Sequence, residues 1–254
     1  MKKPIRLLIP LAAAAVTIAM SPTAAFADGA DGTYQTSLDP LNGSSGSGMA
    51  MITVKGDQAT VELSWSGLPK TFMNADYPHV QHIHIGAQGT CPSGLALDKN
   101  GDGIVDTVEG TPAYGDIGTT LSVKGDTSPK AGTNIKIAPG GDSLEYNRTI
   151  TLSQDTVDQL SSGTGVIVVH GLDPATLSKK AANAKSKLVP SLPLAATAPA
   201  LCGALDKTPS GGVDTGSGST AGVENLGMFA LGGGLLSVAA VGMMARRRRV
   251  EQDA

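Results

Sequence analysis

Residues 49–66 read MAMITVKGDQATVELSWS, with apolar side chains at every second position on both sides of Gly56-Asp57-Gln58. Successive side chains of an extended chain point to opposite faces, so 49–55 and 59–66 predict two strands of a hairpin, each with one face fit for burial. Further strands are expected at 78–85, 119–123, 134–137, 144–152 and 165–170, with Gly, Asp and Pro breaking the chain between them. Many short strands separated by turn residues predict an all-β fold, an antiparallel sandwich or barrel. Two short helices are expected beside it, at 153–160 behind a Ser cap and at 177–188.

The two ends of the chain read differently. Residues 1–27 carry Lys2, Lys3 and Arg6, then an apolar run, then Ala25-Phe26-Ala27. This is the pattern of a secretory signal peptide, cut before Asp28. Residues 226–245 carry no charge and are long enough to cross the roughly 30 Å of bilayer hydrocarbon as a helix. Arg246–Arg249 follow at once and are expected to stay cytoplasmic, leaving the preceding chain outside. Between the folded part and this anchor, residues 208–225 are rich in Gly, Ser and Thr and predict a flexible spacer. The expected order is a signal peptide (1–27), an exported domain (28–207), the spacer (208–225), a transmembrane helix (226–245) and an Arg-rich tail (246–254). This tail resembles the sorting tails of Gram-positive surface proteins, although it has no LPxTG. The nearest string is Val213-Asp214-Thr215-Gly216, so membrane retention is expected and wall attachment is open.

Export places Cys91 and Cys202, the only two cysteines, in an oxidising compartment, and one disulfide between them is expected. A net charge of −3 leaves no electrostatic footprint for nucleic acid. No nucleophile with a base, phosphate loop or paired-carboxylate site is legible. Binding, to an extracellular ligand or an envelope component, is expected rather than catalysis.

Three of the four histidines stand close together in HVQHIHIG, residues 79–86. His82 and His84 lie two apart and share one face of a strand, with Ile83 and Ile85 on the other. His79 has the opposite parity. His170 ends the apolar run 165–170, a strand expected in the middle of a sheet, and could meet the pair across strands. Three imidazoles would suit a transition-metal ion. Histidines satisfied by backbone carbonyls and loop hydroxyls, with no metal, are the alternative.

Residues 98–109 carry a second pattern, with the 12-position spacing of a calcium loop. Asp98, Asn100, Asp102, Asp106 and Glu109 put oxygens at positions 1, 3, 5, 9 and 12. Gly103 stands at position 6, and the carbonyl of Ile104 serves position 7. Hard oxygen ligands point to Ca²⁺. Gly110-Thr111-Pro112 after the loop argues against a flanking helix of EF-hand type.

Leu41-Asn42-Gly43, Gly46-Ser47-Gly48, Gly67-Leu68 and His82-Ile83-His84-Ile85-Gly86 resemble a CHRD domain, a secreted β module. QHIHIGAQGTCP, the acidic loop, VVHG and SLPLAATAPALCG resemble exported CHRD-like proteins of Gram-positive bacteria, over about residues 33–205. The order His82, His84, Cys91, His170, Cys202 also resembles copper/zinc superoxide dismutase. That resemblance implies a Greek-key β-sandwich with copper at His82, His84 and His170. The chain departs from the dismutases in having no His and Asp cluster between Cys91 and His170 for zinc, and no arginine in 198–201 to steer superoxide. Dismutation is therefore not expected, and a Cu²⁺-binding redox protein of related fold stands as the alternative to a binding module.

Overall fold

The structure, a computed structural model, describes residues 29–72 and 74–209. Its strands are β1 (Gly32–Pro40), β2 (Ser47–Lys55), β3 (Gln58–Ser66), β4 (Thr71–Phe72), β5 (Ala75–Asp76), β6 (Gln81–Ile85), β7 (Asp116–Thr120), β8 (Ser143–Thr151), β9 (Val166–His170), β10 (Pro199–Ala204) and β11 (Asp206–Lys207). The α-helices are α1 (Thr107–Tyr114), α2 (Gln154–Ser161), α3 (Lys179–Ala182) and α4 (Leu194–Thr197).

The expected hairpin is present, with Ala50, Ile52 and Val54 of β2 facing Leu63, Val61 and Ala59 of β3 in register. These six side chains are buried, whereas Met49 and Met51 point outward. Nine strands join in one sheet, in the order β7-β6-β9-β10-β1-β2-β3-β8, with β11 continuing beside β1. Every pairing is antiparallel. The sheet curls into a sandwich-like half-barrel, because β1 pairs β2 and β11 along one part of its length and β10 at its end.

Side chains tie the two halves together across the core. The Trp65 indole N–H donates to Gln81 Oε1 at 3.1 Å, and Gln81 Nε2 donates to the Leu121 carbonyl at 3.1 Å. On β8, the Tyr146 hydroxyl donates to the Ser122 carbonyl at 3.2 Å, and Arg148 donates to the carbonyls of Ser122 and Gly125. Ile52, Val61, Ile83 and Ile167 are fully covered in this core, each contributing about 1.5–3 kcal/mol through removal from water.

β6 and β9 are buried along their whole lengths. Their inner face meets the core, and their outer face lies under a second layer. That layer packs Tyr114 of α1 against Val166, Val168 and Cys202, with Cys91 beside them. The expected disulfide joins Cys91 to Cys202 across 111 residues and fastens the covering loop to β10.

Some expected elements differ. Residues 134–137 form a 3₁₀ turn over Ile135–Ile137 rather than a strand, because Asn134 accepts from the Lys136 N–H and starts a turn. The helix expected at 177–188 is reduced to the single turn of α3, capped by Ser178. Beyond it the chain runs as an irregular strap to α4. A helix does follow the acidic loop: Asp106 caps α1 by accepting from Val108 and Glu109 N–H, and Glu109 bonds back to the Asp106 N–H. This reciprocal capping box offsets the poor helix propensity of Gly110 and Pro112. Among the described residues no helix is long and apolar enough to cross a membrane. The expected signal peptide, the anchor at 226–245 and its tail lie outside the described residues, as does the spacer apart from Thr208 and Pro209.

Candidate metal centre

Antiparallel pairing of β6 with β9 sets His82 opposite Val168 and His84 opposite Val166. Val168 and His170 share a face by the period of the strand, so His170 lands next to His82 on the covered side. One ligand nitrogen from each of His82, His84 and His170 lies within 4.8 Å of the other two. All three side chains are buried. Among the described residues no other group of three His, Cys, Asp or Glu side chains gathers in this way.

Backbone carbonyls orient each ring. His82 Nε2–H donates to the Gly132 carbonyl at 2.9 Å, His84 Nδ1–H to Gly115 at 2.9 Å, and His170 Nδ1–H to Thr197 at 2.8 Å. A carbonyl can only accept, so these bonds assign the ring protons and leave His82 Nδ1, His84 Nε2 and His170 Nε2 bare. The bare nitrogens of His82 and His170 face one another at 3.2 Å. Between two neutral rings this places lone pair against lone pair, and a shared cation would make the contact favourable. His84 Nε2 is buried and bonds to no protein group. Bond lengths of about 2.0–2.1 Å from imidazole to a metal put two ligand nitrogens about 3.3–3.6 Å apart. The His82–His170 separation of 3.2 Å falls just short of that spacing.

Burial lowers the basicity of every ring. His84 is pulled down to about 4, with the Gly115 carbonyl and Asp116 opposing the shift. His170 falls to about 3 through burial and the neighbouring His84, against the pull of the Thr197 carbonyl. His82 lies well below its ordinary value through burial and the adjacent His170 and His84. These rings are neutral at pH 7, the form that can ligate. His79 stands apart: its Nδ1 meets the His170 carbonyl at 2.8 Å and its Nε2 the Pro69 carbonyl at 2.9 Å. It packs edge-on to Trp65 and against Tyr77, and so supports the end of β9.

Sequence reasoning missed the groups that aim the rings. Gly115 has a φ of +89°, and a Cβ there would sit 1.9 Å from the Ile85 carbonyl oxygen. Only glycine fits, and the close approach brings its carbonyl to His84. Thr197 belongs to α4, at the end of the strap, and its carbonyl also accepts from Thr107 Oγ at the start of α1. Tyr114 packs edge-on to His84 with ring centroids 4.7 Å apart. The one available signal was Gly115 itself, placed just before a β-rich segment.

The acidic loop lies beside the same strap. Asp98 accepts from Gly101, Asp102 and Gly103 N–H, and these bonds, that from Gly103 foremost, hold its carboxyl below the ordinary range. Asp102 accepts from the Ile104 N–H. Asn100 offers its carbonyl to the Lys180 ammonium. Asp106 and Glu109, at the cap of α1, pair with Lys187 of the strap at 2.5 and 3.3 Å. The loop thus begins with a tight Asp98 turn and ends in a helix, with a lysine against its last two carboxylates.

Compared with protein-family models and with curated proteins, the chain gives no match to either.

Proposed function

We propose that this chain is an exported, membrane-tethered β-domain that holds one copper ion at His82, His84 and His170, acting by binding rather than catalysis. The observation that carries the reading is the gathering of three buried imidazoles, each with one ring nitrogen spent on a backbone carbonyl and the other bare. Imidazole ligands suit copper and zinc, of which only copper also offers a singly charged ion. Three neutral ligands leave the charge of the ion uncompensated, and burying a doubly charged ion costs more than burying a singly charged one. Cu⁺ is therefore favoured over Cu²⁺. Kinship with CHRD domains and a Greek-key arrangement of the sandwich belong to the same proposal. The first rests on the Leu41-Asn42-Gly43, Gly46-Ser47-Gly48, Gly67-Leu68 and His82-Ile83-His84-Ile85-Gly86 patterns, the second on the antiparallel fold and the order His82, His84, Cys91, His170, Cys202. With no arginine in 198–201, the role is holding or delivering copper to an extracellular ligand or envelope component.

Titration of the purified full chain with Cu⁺ under anaerobic, reducing conditions tests this. A one-to-one complex is expected, lost in His82→Gln, His84→Gln and His170→Gln and kept in His79→Gln. Absence of that complex, its replacement by an equally tight zinc complex, or dependence on His82 and His84 alone would overturn the three-histidine copper site.

A second reading concerns residues 98–109, where α1 starts in register with the last positions of a calcium loop. Asp98, Asn100, Asp102, the Ile104 carbonyl, Asp106 and Glu109 would supply the oxygens. Ca²⁺ would have to displace Lys187 from Asp106 and Glu109, so the two cations compete.

A further inference from the structure

The net charge of −3 conceals a lopsided distribution. Residues 123–137 hold Lys124, Lys130 and Lys136 against Asp126 alone, and residues 178–197 hold Lys179, Lys180, Lys185 and Lys187 with no acidic residue. All seven lysines are exposed. The two segments meet in the fold, where Thr133 and Ile135 stand with Leu188, Val189 and Leu192 around one small apolar crevice. Lys180 donates to the Asn100 carbonyl, and Lys187 pairs with Asp106 and Glu109. The other five lysines form no salt bridge among the described residues. Asp126 turns its carboxylate to the Ser128 N–H and hydroxyl.

The same two segments carry Val123, Ile135 and Leu188, which are 44%, 44% and 45% exposed. The Val123 N–H bonds the Ile137 carbonyl, so Val123 sits beside the 3₁₀ turn that holds Ile135. Negative charge gathers elsewhere. The groove over the outer side of β1, β2, β3 and β8 is lined by Glu62, Glu145 and Asp206 and by no lysine or arginine. A domain with one basic, apolar-studded side and one acidic side is oriented by an anionic surface.

An exposed aliphatic side chain standing alone needs no explanation, but three set among unpaired lysines fit a partner that offers both negative charge and hydrocarbon. A soluble polyanion supplies only the charge. A bilayer of anionic lipids supplies both: its headgroups attract lysines within about a Debye length, roughly 10 Å at 0.1 M salt, and aliphatic side chains enter the headgroup boundary. The expected membrane span at 226–245 follows the described domain after only residues 210–225. So short a tether keeps the domain at high effective concentration beside the lipid, where weak contacts suffice.

We infer that residues 123–137 and 178–197 form a membrane-docking face that lies on an anionic bilayer, with Val123, Ile135 and Leu188 at the level of the headgroups. The inference deepens the membrane-tethered reading above by naming the face turned to the lipid, and it is independent of the metal.

Leu188→Trp and Met49→Trp place one reporter on the proposed face and one on the outer face of β2, while the buried Trp65 gives a constant background. The full chain of each is reconstituted at low salt into vesicles of equal parts phosphatidylglycerol and brominated phosphatidylcholine. Leu188→Trp emission should be quenched about twofold and Met49→Trp emission left unchanged. Quenching should vanish in vesicles of brominated phosphatidylcholine alone, and at about 1 M salt, where the screening length shrinks to roughly 3 Å. Lys130→Glu, Lys136→Glu and Lys185→Glu introduced together should also abolish it without lowering the melting temperature. Equal quenching of both reporters, quenching that ignores lipid charge and salt, or quenching that survives the three reversals overturns the docking face. So does tight binding of soluble polyphosphate by a chain whose Leu188→Trp stays unquenched in anionic vesicles, which assigns the lysines to a polyanion. The tether is read separately. A chain that leaves the vesicles at about 1 M salt refutes the membrane anchor, while quenching at low salt still decides the face.

Discussion

Acid should unfold the metal-free protein well before its carboxylates are protonated, because His82, His84 and His170 are held inside it in neutral form. Their folded-state pKa values are depressed, while in the unfolded chain each returns to about 6.5. Between those limits the unfolded chain binds protons that the folded one refuses. The stabilisation is therefore complete above about pH 6.5 and is lost as pH falls toward the folded values. For His84, whose folded value is about 4, acidification from pH 6.5 to 4.5 costs about 2 kcal/mol by linkage. His170, at about 3, adds about the same, so the pair removes about 4 kcal/mol from a typical 5–15. His82 acts in the same direction. Urea unfolding followed by the fluorescence of Trp65, the single tryptophan, should show this loss between pH 6.5 and 4.5. His84→Gln should flatten the slope near pH 5.5 by about one proton, or roughly 1.2 kcal/mol per pH unit. Copper should suppress the loss as long as it outcompetes protons. A wild-type stability that changes by less than about 1 kcal/mol over this range would refute the claim that these rings are buried neutral.

Breaking the disulfide with Cys91→Ala and Cys202→Ala should cost about 4–5 kcal/mol, since the bond closes a loop of 111 residues; denaturant melts of the double variant measure it. Gly115→Ala should destabilise by more than about 2 kcal/mol, because its Cβ would collide with the Ile85 carbonyl, and any folded fraction should bind copper more weakly as the carbonyl on His84 moves. For calcium, differential scanning fluorimetry of Lys187→Met should show a larger Ca²⁺-dependent rise in melting temperature than wild type, with both rises abolished by Asp98→Ala. Melting curves that ignore Ca²⁺ and chelator in both proteins would remove calcium from the loop.

Period-two patterning carried much of the fold. It marked β2, β3 and β8, and it put His82 and His84 on one face of β6. It could not mark β1, whose GTYQTSLDP mixes hydroxyls and amides on both faces, or β10, whose PALCGA is built of small residues. Both strands form because neighbours pair with them on either side, a tertiary cause that a local pattern does not contain. α1 was hidden by Gly110 and Pro112, and only its capping box between Asp106 and Glu109 reveals it. At the candidate metal centre, parity identified a pair and the end of β9 suggested the third ring. The depth of the site depends on α1 and the strap covering the outer face of β6 and β9, and the proton assignment depends on the carbonyls of Gly115, Gly132 and Thr197. Those groups carry no side-chain signature.

β8 closes the sheet on one side, and no strand among the described residues pairs with its outer edge. Nine residues of open strand are a template on which a second chain could assemble. On its inner face β8 meets the segment after β7, where Arg148 spans Ser122 and Gly125 and Tyr146 reaches the Ser122 carbonyl. Arg148 is the only arginine between the signal segment and the terminal cluster, and its planar fork ties that segment to the strand beside the open edge. Its replacement by alanine would leave the chemistry of the histidines untouched and cut the segment 122–125 loose from β8, baring the inner face of the strand at the rim of the half-barrel.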